Sequence, residues 1–155
     1  MPQNRIEKTI ELKASVSRVW RALTDYREFG DWFRVRLDAP FALGEVSRGY
    51  MTYPGFEHVR WEAPVLAMEP ERLFSFSWSH PKAFDKEHYS PDYSDAPHTI
   101  VEFRLEPTAT GTLLTVTESG FESLPPELRL EAFRRNKGGW SQQMKNIEAH
   151  VNATA

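Results

Sequence analysis

Apolar residues recur along this chain with two different periods, and each change of period marks an element. In RIEKTIELK, Ile6, Ile10 and Leu12 keep a two-residue register broken at Lys8, which predicts a first strand. ASVSRVWRALTD switches to helical spacing: Val16, Val19, Trp20 and Leu23 fall on one face behind Ser15, a capping residue. YREFGDWF groups Phe29, Trp32 and Phe33 and predicts one or two further helical turns, ended by a turn near Gly30 and Asp31. Five strand-like stretches follow. GEVSRGYMTYPG ends at the turn pair Pro54-Gly55, and FEHVRWEAPVLAMEP carries Pro64, which implies an edge position or a bulge. RLFSFSWSH puts Phe74, Phe76 and Trp78 on one face and serines on the other. HTIVEFRLEP aligns Val101, Phe103 and Leu105, and GTLLTVTESGF aligns Leu114, Val116 and Glu118 between Gly111 and Gly120. The chain closes with a long helical stripe, Phe133, Trp140, Met144, Ile147 and Val151, behind the first-turn prolines Pro125 and Pro126.

Strands in a run beside segregated helices predict an α+β fold, and one apolar face per strand predicts an antiparallel sheet. The length of 155 residues predicts a single domain over 1–155, with its core at about 6–151. One connection departs from hairpin lengths. Residues 80–97, HPKAFDKEHYSPDYSDAP, are polar and proline-containing, and read either as a lid or as a solvated ornament.

Two places break their local pattern. In the last helix, NKGGW sets Gly138 and Gly139 beside Trp140, although each glycine in a helix interior costs about 1 kcal/mol relative to alanine. The pair permits a bend or the close approach of another backbone or a ligand. Alternatively, it accommodates a neighbouring aromatic ring or ends one helix before the next. Glu118 is the second break. Its phase with Leu114 and Val116 points a carboxylate inward, where it acts as an acid/base group or a ligand anchor; otherwise it sits at a wet strand end, bonded to backbone or an arginine. His58, after YPGFE, is the other weak catalytic candidate, because an imidazole is the side chain suited to serve as acid, base or ligand donor around neutral pH.

Composition narrows the chemistry. There is no cysteine, which excludes disulfides, thiolate catalysis and cysteine-ligated metal clusters. The formal net charge of -3 gives no basic field for nucleic acid. His80, His88 and His98 lack ligand spacing, so no metal is expected, and no cofactor fingerprint, phosphate loop or nucleophile elbow is present. With no secretory signal and no run long enough for a membrane span, the expected compartment is the cytoplasm. Five Trp, five Tyr and ten Phe are enough to line a cavity as well as fill a core.

As a set, VWRALTD with Trp32-Phe33, YPGFEH, EPERLFSFSW, TIVEFRLE followed by GTLLTVTESGF, and NKGGW resemble the START-like, polyketide-cyclase-like superfamily. Within it they are most similar to the bacterial branch homologous to the activator of heat-shock-protein ATPase. The resemblance spans roughly Ile6 to Val151. It implies a helix-grip fold: two short helices after the first strand, and a curved antiparallel sheet wrapped around the long C-terminal helix with an apolar cavity between them. Trp32, Phe33, Tyr53, His58 and Phe76 are then candidate ligand contacts from the sheet side and the short helices. Trp78, Glu118, Phe121, Trp140 and Met144 complete the set. The first functional reading is a non-catalytic binder of a small hydrophobic molecule, lipid-like or aromatic. The second is a cyclase- or hydrolase-type enzyme using Glu118 and His58. The third is a co-chaperone-like interaction module, the only reading that involves a chaperone; a homodimer is compatible with all three.

Overall fold

The computed structural model describes residues 5–52, 54–55, 57, 60–79, 98–124 and 126–154. Strand β1 (Arg5–Leu12) leads into helices α1 (Val16–Thr24) and α2 (Tyr26–Phe33). Six strands follow: β2 (Val35–Leu37), β3 (Val46–Met51), β4 (Arg60–Glu69), β5 (Leu73–Ser79), β6 (His98–Pro107) and β7 (Thr112–Ser119). A single 3-10 turn at Phe121–Ser123 then precedes α3 (Pro126–Thr154). The strands form one antiparallel sheet in the order β1-β7-β6-β5-β4-β3-β2. The sheet curves around α3, which packs against β1, α1 and α2. This is the helix-grip fold.

The short helices start where side chains satisfy their first amides. Ser15 Oγ accepts from the Arg18 amide at 3.1 Å, and Asp25 Oδ1 accepts from the amides of Arg27 and Glu28 at 2.9 and 3.2 Å. The turn expected at Gly30–Asp31 is not there: α2 runs through it and ends at Arg34, whose backbone is left-handed (φ 68°). Gly30 has a packing role instead. A Cβ at this position would sit 2.4 Å from the Val35 carbonyl oxygen, so the missing side chain lets β2 lie directly against α2. Strand β2 itself was not expected, because three residues are too few to show a period.

Pro64 does not mark an edge. β4 is an interior strand between β3 and β5, and the bulge alternative holds, with a register shift between Val65 and Ala67. Alternation is kept elsewhere. Phe74, Phe76, Val101, Phe103, Leu114 and Val116 are all fully buried on the concave face. Helix α3 meets them with Phe133, Trp140, Met144, Ile147 and Val151, all buried, as their spacing predicted. A polar cluster ties the three helices together at one end. Glu28 of α2 receives Arg18 and Arg21 of α1, each at 2.8 Å, and His150 of α3 at 2.9 Å. No helix among the described residues is long and apolar enough to cross a membrane.

Candidate functional site

Sheet register and helix spacing bring one group of polar side chains into the aromatic core. Trp78 of β5 pairs directly with Thr99 of β6. Glu118 of β7 pairs with Val101 on one side and with Ile6 of β1 on the other. Thr99, two residues before Val101, is therefore a diagonal neighbour of Glu118 on the same face. From above, Asn136 and Trp140 of α3, four residues apart, share the helix face turned toward the strands.

Glu118 is fully buried. Its Oε1 accepts from Trp140 Nε1 at 2.8 Å, and its Oε2 from Trp78 Nε1 at 2.8 Å and from the Thr99 hydroxyl at 2.5 Å. Asn136 Nδ2 reaches both oxygens, at 3.1 and 3.0 Å. Arg135 Nε donates to Asn136 Oδ1 at 3.3 Å, which fixes the amide with its nitrogen toward Glu118. Indole and amide nitrogens are donors only, so the side chain facing them acts as an acceptor. The expectation of a wet strand end is thus corrected: the carboxylate is fully buried, two tryptophans, an asparagine and a threonine donate to it, and the Arg135 guanidinium of α3 is an electrostatic neighbour. Burial lowers the pKa of the Arg135 guanidinium, and the nearby carboxylates of Glu131 and Glu118 act in the opposite direction.

Aromatic rings wall this group. Trp78 and Trp140 stack at 5.6 Å with 22° between their planes, and Phe33 lies 6.0 Å from each. Trp61 and Phe76 meet Trp78 at 5.8 and 5.6 Å, and Phe103 meets Trp140 at 5.7 Å. Trp32 stands behind this layer, in contact with Phe29, Phe33 and Phe103, and spends its own N–H on the Ala22 carbonyl at 2.8 Å. Of the rings around Glu118, Trp140 is buried and Trp78 half-buried.

Six of the residues singled out from sequence, Trp32, Phe33, Phe76, Trp78, Glu118 and Trp140, thus come together in one region. Phe121 is fully buried against Phe133, and Met144 is buried one helical turn beyond Trp140. Tyr53, His58 and the 80–97 connection lie outside the described residues. Sequence reasoning missed Thr99 and Asn136. Asn136 left a signal, as a poor helix former one turn before Trp140. Thr99 left none, because its neighbours are set by pairing between strands.

Among the described residues, the glycine pair neither ends a helix nor makes room for a neighbouring ring or backbone. Helix α3 is unbroken from Pro126 to Thr154, so the glycines do not end it. Both are exposed, and no described atom lies within 4 Å of where a Cβ would stand on either. Neither a neighbouring aromatic nor another backbone among the described residues requires them.

Comparison with known proteins places this geometry in context. The sequence profile of the family described as "Activator of Hsp90 ATPase homolog 1-like protein" matches residues 13–152. No curated protein matches the chain. Among solved structures, a protein from Mesorhizobium loti is similar over 97% of this chain and 98% of its own, with 24% identity and a TM-score of 0.75. DynU16, a protein of the dynemicin biosynthetic locus, is similar over 97% of this chain but 48% of its own, at 23% identity and a TM-score of 0.71. CalU16 from Micromonospora echinospora is similar over 97% of this chain and 80% of its own, at 20% identity and a TM-score of 0.65. Likeness at these identities is a likeness of fold.

Proposed function

Because the chain belongs to the family of activator of Hsp90 ATPase homolog 1-like proteins, we propose that it binds a small, largely apolar molecule, aromatic or lipid-like, between the sheet and α3. Glu118 is its polar anchor, and the protein acts as a carrier or sensor rather than an enzyme. One observation carries this reading: a fully buried carboxylate sits at the centre of an aromatic wall. Burying a carboxylate costs several kcal/mol even after relaxation, and well-packed hydrophobic residues of similar volume serve stability as well or better. Apolar walls with a few convergent polar groups are the usual composition of a small-molecule site. The donors around Glu118 favour an orienting role over proton transfer, since indole and amide N–H groups do not exchange protons with a carboxylate at ordinary pH.

The test uses the protein's own fluorescence. Trp32, Trp61, Trp78 and Trp140 all lie in the ring cluster, so occupancy there should change their emission. A panel of neutral aromatics, fatty acids and polycyclic compounds should yield saturable quenching by at least one class. Native mass spectrometry of protein purified from its own host should show a co-purifying small molecule. Indifference to the whole panel, together with a ligand-free native mass, would refute the binding role.

A further inference from the structure

The Glu118 group has an internal asymmetry that specifies the ligand's chemistry; the inference rests on the binding role proposed above. Two indoles donate to the carboxylate at the same distance, 2.8 Å, but they are held differently. Trp140 is 2% exposed and gives its N–H to Glu118 Oε1. Trp78 is half-buried, on the next-to-last residue of β5, and its N–H is shared between Glu118 Oε2 at 2.8 Å and Thr99 Oγ1 at 3.0 Å. Removing Trp78 from this position still leaves the Thr99 hydroxyl and the Asn136 amide donating to the carboxylate.

The geometry points to Trp78 as an internal stand-in for the ligand: a planar aromatic molecule carrying one N–H or O–H donor displaces the Trp78 indole, stacks on Trp140 and donates to Glu118 Oε2. The vacated place has a flat wall in Trp140, flanking rings in Phe33, Trp61 and Phe76, and one anionic acceptor. An indole, a phenol or an arylamine matches all three features. A molecule presenting a carboxylate there would meet Glu118 as a like charge, so fatty acids and aryl carboxylates are disfavoured with their charged ends at this point. The ligand that fits here is a neutral aromatic donor rather than any aromatic or lipid-like molecule.

The probes are indole and benzofuran, which share shape and differ in a single N–H. Calorimetric titration of the wild-type protein should show indole binding about tenfold tighter or more, the effect expected of a hydrogen bond to a charged acceptor. Indole N–H exchange followed by NMR supplies the second readout. On indole binding, Trp78 Nε1–H should lose its protection while Trp140 Nε1–H keeps its own. Equal affinity for the two probes, or bound indole with Trp78 still protected, would overturn the displacement and leave the broader binding role standing. Absence of binding by either probe would overturn the displacement, and the larger panel described above would then decide the binding role separately.

Discussion

Replacing Glu118 by leucine removes the acceptor shared by Trp78, Thr99, Asn136 and Trp140, and the consequences differ from donor to donor. Trp78 retains Thr99 Oγ1 at 3.0 Å. The Thr99 hydroxyl can rotate, and Asn136 is half-buried, within reach of solvent. Trp140 is only 2% exposed and its N–H has no water to turn to, so it carries the main penalty, about 1–3 kcal/mol for an orphaned buried donor. The lost charge-assisted bonds add to this, while release from burying a carboxylate offsets them by several kcal/mol. Because those two large terms oppose each other, the total is less informative than the pairwise coupling. In the wild type, Trp140→Phe breaks a hydrogen bond to a charged acceptor, which should cost about 2 kcal/mol. In the Glu118→Leu background the same change removes an orphan and leaves only the packing loss of the smaller ring, which is common to both backgrounds and cancels in the cycle. The cycle should therefore give a coupling energy of about 2 kcal/mol, read by urea unfolding followed with far-UV circular dichroism. Glu118→Gln is the poorer comparison, since an amide oxygen facing Trp140 turns its NH2 toward the donors Trp78 and Thr99. A coupling below about 0.5 kcal/mol, within ordinary additivity, would refute the reasoning and make Glu118 energetically independent of the helix above it.

Three further outcomes follow from other parts of the fold. Gly138→Ala and Gly139→Ala should each stabilise the protein by about 0.5–1 kcal/mol, because the helix is continuous there and no described atom stands within 4 Å of the added Cβ; a loss of melting temperature would show that something occupies that face. Gly30→Ala should destabilise by about 1–3 kcal/mol, as its Cβ meets the Val35 carbonyl at 2.4 Å, and a variant as stable as wild type would contradict the α2–β2 packing. Partial burial by itself raises the Glu28 carboxyl pKa, but hydrogen bonds from His150 and Arg18 and the charges of Arg18 and Arg21 outweigh it and hold the group below its ordinary 4.5. Its contribution to stability is then full above pH 4.5 and lost as the pH falls through the lowered value, so Glu28→Gln should flatten the acid limb of the melting curve; an unchanged limb would show that the cluster adds nothing.

The sequence by itself determined which stretches are helix or strand and which face of each is buried. Periodicity is a local property: Phe74, Phe76 and Trp78 alternate, and Phe133, Trp140 and Met144 recur, because neighbouring residues share one backbone geometry. The same logic brought Glu118 inward, since strict alternation leaves a residue in phase with Leu114 and Val116 nowhere else to point. Other features were settled only by distant contacts. Three residues of β2 carry no period, and α2 passes through Gly30 because β2 lies against it. Pro64 marks a bulge in an interior strand, which depends on what pairs on both sides. The side chains described above as donating to Glu118 come from β5, β6 and α3, between 18 and 40 residues away along the chain. A side chain's direction is written in its own strand, but the donors it meets depend on strand register and on where α3 crosses the sheet, and both are set only when the separate apolar faces close on one another.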